Sequence, residues 1–245
     1  MNESDFITWH KSSDPDLLEA ASRAQADFRH FWYQVATDFN RIVPALEMAI
    51  VKAAFSDDFA DENSPVEHMW LGEINFDGLN VTGTLLNSPD RLVSVSEGDS
   101  VEVPLVRISD WICCINDRAY GAYSVQVLRS RMNDQERASH DEAWGIVFPP
   151  PETVELPKVS EQFEKVMLDL LTDQIAKNPG CISEDYGAGR TLLHLMALYG
   201  RPASVRALLD AGAAADRECD RGWKAIDYAR SIGWDHVVAE LQGNS

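Results

Sequence analysis

The chain has 245 residues, and 45% of them are apolar, so it can bury a sizeable core and general disorder is excluded. Its 40 acidic side chains outnumber the 21 basic ones and give a net charge of −19. Nucleic acid and anionic membrane surfaces repel such a charge, so we expect neither as a partner. No apolar run approaches the roughly 18 residues that would cross a bilayer. The opening residues lack the pattern of a secretory signal, and we expect a cytoplasmic protein.

The four cysteines, Cys113, Cys114, Cys181 and Cys219, form no C-x-x-C pair. We therefore expect reduced thiols, with neither a disulfide scaffold nor a zinc site. The sequence also lacks a phosphate-binding loop, a dinucleotide-binding glycine motif, an H-E-x-x-H helix and a calcium loop. It predicts no metal and no cofactor.

A proline-rich segment divides the chain. Four prolines between Phe148 and Pro157 exclude helix and central strand and indicate a stiff connector. We place a first domain at 1–148, a linker at 149–159 and a second domain at 160–245. Residues 1–159 carry 12 basic and 27 acidic side chains, a net charge of −15, so most of the negative field belongs to the first domain.

The first predicted element is a long helix. Asp14-Pro15 is typical of a cap followed by a first-turn proline, and Pro44 ends the pattern. Between them, apolar residues recur every three or four positions and predict a face packed on the core. This stripe consists of Leu17, Ala21, Ala24, Phe28, Phe31, Val35, Phe39 and Ile42.

Beyond the helix the apolar period shifts towards two, which predicts strands. They are expected at 48–55, 66–75, 79–87, 100–108, 110–115 and 120–128, followed by a short helix at 134–144. Asp77-Gly78 predicts a hairpin between the second and third strands. One long helix followed by consecutive strands favours an α+β domain with a mostly antiparallel sheet.

The second domain contains an internal sequence repeat. A shift by 33 carries Gly189 to Gly222, Leu193 to Ile226, Gly200 to Gly233, Val205 to Val238 and Leu208 to Leu241. This period, with Thr191-Leu192-Leu193-His194 in place of T-P-L-H, resembles the ankyrin repeat over about 160–243. The resemblance implies an all-α ankyrin-repeat domain made of a degenerate cap, in which 163–175 forms a pair of helices, and two repeats.

The first domain carries a different set of motifs, over about 24–128. They include Val51-Lys52-Ala53-Ala54-Phe55, Glu67-His68-Met69-Trp70, Gly83-Thr84-Leu85 and Ile108-Ser109-Asp110-Trp111. In order and spacing they resemble the YegJ-like family, a bacterial domain of uncharacterised function. The resemblance implies a fold and no activity.

Three polar groups of the first domain are weighed as catalytic sites. His68 has no orienting partner that spacing identifies, and Ser109-Asp110 lacks the glycines of a nucleophile turn, so we interpret both as structural. His140 and Asp141 diverge by about 100 degrees on a helix and are interpreted as a solvated surface. We therefore expect no enzyme.

Two groups are candidates for protein binding. The acidic residues Asp57, Asp58, Asp61 and Glu62 form either a solvated loop or a patch that attracts a basic partner. Tyr199, Trp223 and Trp234 stand where ankyrin repeats usually carry polar residues. They are either exposed hot spots or packing residues.

The leading functional hypothesis is a protein-binding module, a bacterial immunity protein that occludes a cognate basic toxin, such as a nuclease. The alternatives are an ankyrin adaptor for an endogenous protein, or a hydrolase or small-molecule-binding domain with accessory repeats. The last alternative predicts a pocket near His68, Trp70 and Asp110.

Overall fold

The computed structural model describes residues 14–61 and 64–243. The chain divides into two compact units, the first ending at Pro157 and the second beginning at Lys158. None of the helices in the described ranges is long and apolar enough to cross a membrane.

Helix α1 spans Pro15–Asp38, and Asp14 caps it by accepting the N–H of Asp16. Its apolar face is buried as predicted, but the predicted extension to Pro44 is wrong. The side chain of Asn40 donates to the carbonyl of Ala36, and Asp38 accepts the N–H of Ala45, so the chain leaves the helix there. Consequently Phe39 is 60% exposed and Ile42 is fully exposed.

Among the described residues, six antiparallel strands form one sheet in the order β4-β3-β2-β1-β5-β6. The predicted α+β architecture of the first unit is confirmed. The strands are β1 (Met48–Phe55), β2 (Glu67–Phe76), β3 (Asn80–Leu85), β4 (Ser100–Pro104), β5 (Ile108–Ile115) and β6 (Arg118–Gly121). The hairpin between β2 and β3 is also confirmed, because Asp77 accepts the N–H groups of Leu79 and Asn80.

The predicted strand at 120–128 is wrong. Only β6 is a strand, and helix α2 begins at Tyr123 and ends at Ser130. The residue before it, Ala122, adopts a left-handed conformation and offers no side-chain cap. The cap comes instead from Asp110 on β5, a contact distant in sequence that overrides the strand preference of Tyr and Val.

Helix α3 spans Asp134–Trp144, as predicted, with a capping box between Asn133 and Glu136. The proline-rich residues that follow are bound to the first unit as far as Glu155. The side chain of Gln126 donates to the carbonyl of Thr153, and the carbonyl of Glu155 accepts the N–H of Gly121. These bonds hold the segment on the surface of the sheet domain.

Each face of the sheet has its own apolar core. On one face α1 packs against β5, where the Trp111 indole donates to the carbonyl of Ala24 and its ring lies 5.6 Å from that of Phe31. On the other face Trp70 and Ile112 pack with Val125 of α2 and Phe148. Because both faces are covered, polar groups on the central strands are buried.

The second unit is helical. It contains α4 (Glu161–Lys177), α5 (Leu192–Leu198), α6 (Pro202–Asp210), α7 (Ala225–Ser231) and α8 (Asp235–Gly243). The predicted pair of helices at 163–175 is wrong, because the single helix α4 covers that range without interruption.

Two equivalent helix pairs follow the 33-residue offset of the sequence. Helices α5 and α7 begin at Leu192 and Ala225, and α6 and α8 begin at Pro202 and Asp235, so both pairs keep the offset seen in the sequence. The preceding loops are equivalent too, since Tyr186 donates its N–H to the carbonyl of Arg190 as Cys219 does to that of Trp223. The repeated sequence therefore builds a repeated structure.

Candidate functional site

Two of the four acidic residues considered as a docking patch hold the local backbone in place. Asp57 accepts the N–H groups of Val93 and Ser94, and the Ser94 hydroxyl together with these bonds keeps the pKa of Asp57 below its usual range. Asp58 closes a turn by accepting the N–H of Ala60. Asp61 is exposed, and Glu62 lies outside the described residues. Part of this run has a structural role at the loop that follows β1.

Of the three aromatic candidates, Trp234 is buried. It is only 5% exposed, and its indole donates to the carbonyl of Leu198 at 3.1 Å. Gly200 lies against the ring, where an added Cβ would come within 2.4 Å of it. Trp234 therefore joins the two helix pairs as a packing residue, which was the alternative weighed for it.

Trp223 lies half-buried in the loop before α7. Its ring packs edge-on against Tyr228 at 5.1 Å, and the guanidinium of Arg221 lies 5.2 Å from its centroid. Trp, Tyr and Arg are the residues most enriched at binding hot spots. Arg221 is exposed, whereas Tyr228 belongs to α7 and is 2% exposed, so it supports the Trp223 ring from inside the unit. These three residues are named the loop cluster below.

Tyr199 is half-buried at the other end of its helix pair. Helices α5 and α7 run parallel, because His194 near the start of α5 reaches the carbonyl of Trp223, while Trp234 after α7 reaches Leu198 at the end of α5. Tyr199 and Trp223 are thus at opposite ends of these helices, and the structure does not bring them together.

His194 and Asp227 occupy equivalent positions of the repeat and perform the same task. His194 Nδ1 accepts the N–H of Thr191, and an oxygen of Asp227 accepts that of Lys224. Since Nδ1 is the acceptor, Nε2 carries the proton and donates to the carbonyls of Arg217 and Trp223. Burial lowers the pKa of His194, so this neutral form is favoured. These contacts make His194 a structural residue.

In the first unit, His68 has a partner that its spacing did not reveal. Its Nδ1 lies 2.8 Å from the hydroxyl of Ser109, which also lies 3.3 Å from the carbonyl of Lys52. The contact crosses β1 above Ala54, which pairs with His68. A register shift beside Lys52 and Ala53 lets the chain of β5 bulge at this point.

Asp110 is fully buried and serves helix α2. Its two oxygens accept the N–H groups of Trp111, Tyr123 and Ser124 and the hydroxyl of Ser124. Burial raises the pKa of Asp110, and the Ser124 hydroxyl and Lys52 oppose the rise. With its lone pairs occupied, Asp110 acts as a helix cap.

The interpretation of His140 and Asp141 as a solvated surface is wrong. His140 Nδ1 lies 2.9 Å from Asp141, and its Nε2 accepts the indole N–H of Trp144. Asp141 also receives two hydrogen bonds from the buried guanidinium of Arg129, so α3 is tied to α2. Burial acts to raise the pKa of Asp141, but bonding to Arg129 and His140 outweighs it and keeps that pKa low.

Lys52 is a polar residue that sequence reasoning passed over. It interrupts the apolar strand β1, pairs with Trp70 on one side and Asp110 on the other, and is 3% exposed. Burial lowers the pKa of its amine, and Asp110 opposes that effect. A charged residue inside an apolar strand was the available signal.

Among the described residues no group of three or more His, Cys, Asp or Glu side chains is arranged to hold a metal ion. A family model described as "Uncharacterized protein conserved in bacteria (DUF2314)" matches residues 14–148. The chain belongs to this family. The matched region covers all six strands of the sheet, so the sheet domain is the DUF2314 domain.

Two relatives extend this comparison. One, of Neisseria meningitidis serogroup B, is named "Putative ankyrin repeat protein"; it is 34% identical over 245 residues, which cover 96% of each chain. The other is the uncharacterized protein YegJ of Escherichia coli strain K12, 28% identical over 78 residues, or 32% of this chain and 48% of that protein.

Proposed function

We propose that this protein binds another protein through an ankyrin-type repeat in its second unit. The observation that carries the proposal is the loop cluster, in which a half-buried tryptophan and an arginine are presented by the loop of the second helix pair. The two equivalent helix pairs and the name of the Neisseria relative support it. Stacked repeats of this kind offer extended surfaces to partners.

A basic partner fits the charge of the chain. The net charge of −19 raises the encounter rate with a cationic protein, and the segment 1–159 holds most of that charge. As the finer form of the proposal, the partner is a basic toxin whose active site the protein occludes. An adaptor for an endogenous protein differs from this form because its partner would stay active when bound.

The binding proposal is tested by capture on immobilised full-length protein from a lysate of its source bacterium. The variant combines Trp223→Ala with Arg221→Ala, and Phe39→Ala, an exposed aromatic of the first unit, is the matched control. We expect one protein to be retained by the wild type and the control and lost from the variant. With purified partner, the Kd should rise about 30-fold, the equivalent of a hot spot worth about 2 kcal/mol. Equal retention by all three proteins would place the binding surface elsewhere.

The toxin form needs its own experiment. A toxin gene found beside this gene would be expressed with the wild type, with the double variant or alone. If only the culture that expresses the wild type survives, the result supports occlusion of the toxin. Death in all three cultures would refute the toxin form and leave the binding proposal to the capture experiment.

A further inference from the structure

A groove of about 660 Å³ runs between helices α4 and α6 of the second unit. Its two walls are one face of each helix, because the lining residues recur at helical spacing. They are Leu168, Asp169, Thr172, Asp173 and Ala176 on α4, and Ala203, Arg206, Ala207 and Asp210 on α6. These positions extend along each wall for about two turns, or about 11 Å. The groove is therefore long enough to receive the side of another helix.

The apolar part of the lining consists mostly of small side chains that solvent reaches. Ala176 and Ala203 are exposed and Ala207 is half-buried, so both walls leave room for a third helix to approach closely. Larger apolar side chains continue the α4 wall on its neighbouring side, where Val166 is 48% exposed and Leu170 is 58% exposed. Contiguous apolar surface of this kind marks a site at which another protein packs.

The charged part of the lining is negative. Its three aspartates and one arginine give a net charge of −2, half of the −4 that the 9 basic and 13 acidic side chains of 160–245 produce. The arginine is not free to neutralise them, since bonding to Glu240 raises the pKa of Arg206 and Asp210 adds a smaller contribution. One aspartate is paired within α4. Asp169 makes no ion pair in the described part of the chain, so the groove attracts a cation.

The walls favour a helical occupant over an extended one. Both are α-helices, whose main-chain groups are bonded within the helix, and the hydroxyl of Thr172 already donates to the carbonyl of Leu168 at 2.8 Å. An extended segment would lose water from its own main chain here without gaining partners. A helix satisfies its main chain internally and makes contact through its side chains alone.

We propose that the groove between α4 and α6 binds an amphipathic, cationic helix of a partner protein. The apolar stripe of that helix packs on Ala203 and Ala207, and its lysine or arginine side chains pair with Asp169 on one wall and Asp210 on the other. This role of the groove rests on the proposed function, because the partner is a protein bound by the second unit, but the surface differs from the loop cluster.

A synthetic helical peptide of about 14 residues, with leucine and alanine on one face and lysine on the other, tests the groove. It is added to full-length protein whose alanine methyl groups are labelled for NMR. The methyl resonances of Ala176, Ala203 and Ala207 should shift, while that of Ala143, an exposed alanine of α3, should not. The same peptide with glutamate in place of lysine should shift none of them. Unmoved groove resonances with the lysine peptide, or an equal shift at Ala143, would overturn the proposal.

Charge variants measure how specific the attraction is. Asp169→Asn combined with Asp210→Asn should raise the Kd of the lysine peptide about tenfold, because two exposed ion pairs are lost. Asp216→Asn combined with Glu218→Gln is the matched control, since it removes the same charge from exposed positions of the same unit and should leave the Kd unchanged. Equal increases in Kd would mean that the net charge of the unit attracts the peptide, and would reject the groove.

The variant that combines Trp223→Ala with Arg221→Ala separates the groove from the loop cluster. It should bind the lysine peptide as tightly as the wild type, because neither residue lines the groove. If this variant loses the peptide while the variant of the two groove aspartates keeps it, the loop cluster is the site and the groove is rejected. If the loop-cluster variant still captures the partner from the lysate and the peptide shifts the groove resonances, the role of the loop cluster falls and the groove stands.

Discussion

Ser124 donates both its backbone N–H and its hydroxyl to the carboxylate of Asp110, at 2.8 and 2.6 Å. The two residues belong to β5 and α2, and Asp110 is fully buried between them. This contact couples the sheet to the helix that follows it and explains why that helix needs no cap of its own.

Replacing Asp110 with Ala should therefore lower the free energy of unfolding by about 3 kcal/mol, because several buried donors lose their acceptor at once. Chemical denaturation monitored by circular dichroism measures the change. Asp58→Asn is the control, since an asparagine preserves the exposed turn bond to Ala60 and should leave stability unchanged. A similar small effect for both variants would contradict the role of Asp110 as a buried cap.

The two tryptophans of the second unit should separate stability from binding. Trp234→Ala removes a buried ring and its bond to Leu198 and should cost about 4 kcal/mol of unfolding free energy. Trp223→Ala removes a half-buried ring packed on Tyr228 and should cost about 1 kcal/mol. Urea unfolding of each full-length variant gives these values. Equal costs would mean that the loop cluster is a packing element.

Stability should depend on His194 at acidic pH. Burial lowers the folded-state pKa of this residue below the unfolded value of about 6.5, so the neutral form stabilises the fold above that pH. The contribution is lost as the pH falls through the folded-state pKa. Comparing His194→Gln with the wild type from pH 7 to 5 isolates it, since other titrating groups are common to both proteins. We expect the difference in unfolding free energy between the wild type and the variant to decrease as the pH falls. A constant difference would contradict the assignment of His194 as a buried neutral residue.

Two bidentate arginine–carboxylate pairs differ in burial and should differ in their contribution to the free energy of unfolding. Arg129 binds Asp141 with both nitrogens and is 3% exposed, whereas Arg118 binds Glu155 in the same manner at the surface. Arg129→Lys should lower the unfolding free energy by about 2 kcal/mol, because a lysine cannot satisfy the partners of a buried guanidinium. Arg118→Lys should change stability little, since exposed pairs are screened by water. Denaturation curves of the two variants, recorded side by side, measure this difference. Equal losses of unfolding free energy would show that burial does not determine how much such a pair stabilises the fold.

Local patterns predicted the elements whose signals lie within their own residues. Strand β1 occupies 48–55 and helix α3 occupies 134–144, as expected, because alternation and a capping box are encoded in consecutive residues. The sequence repeat likewise appears as helix pairs at the same offset. Helix α2 was not predicted, because its cap is Asp110, which lies on strand β5.

The candidate site residues also divide into features that the sequence determined and features that needed the tertiary structure. Sequence alone determined the acidity of the chain and the 33-residue repeat, since the first follows from composition and the second from a pattern of fixed spacing. Only the tertiary structure decided that Trp234 is buried while Trp223 is half-buried, and that Asp57 is tied to the loop at Val93. It also placed His68 beside Ser109, and Lys52 against the ring of Trp70. Strand pairing brings together residues that are distant in the chain, and burial then determines which of their polar groups lack water and need a partner.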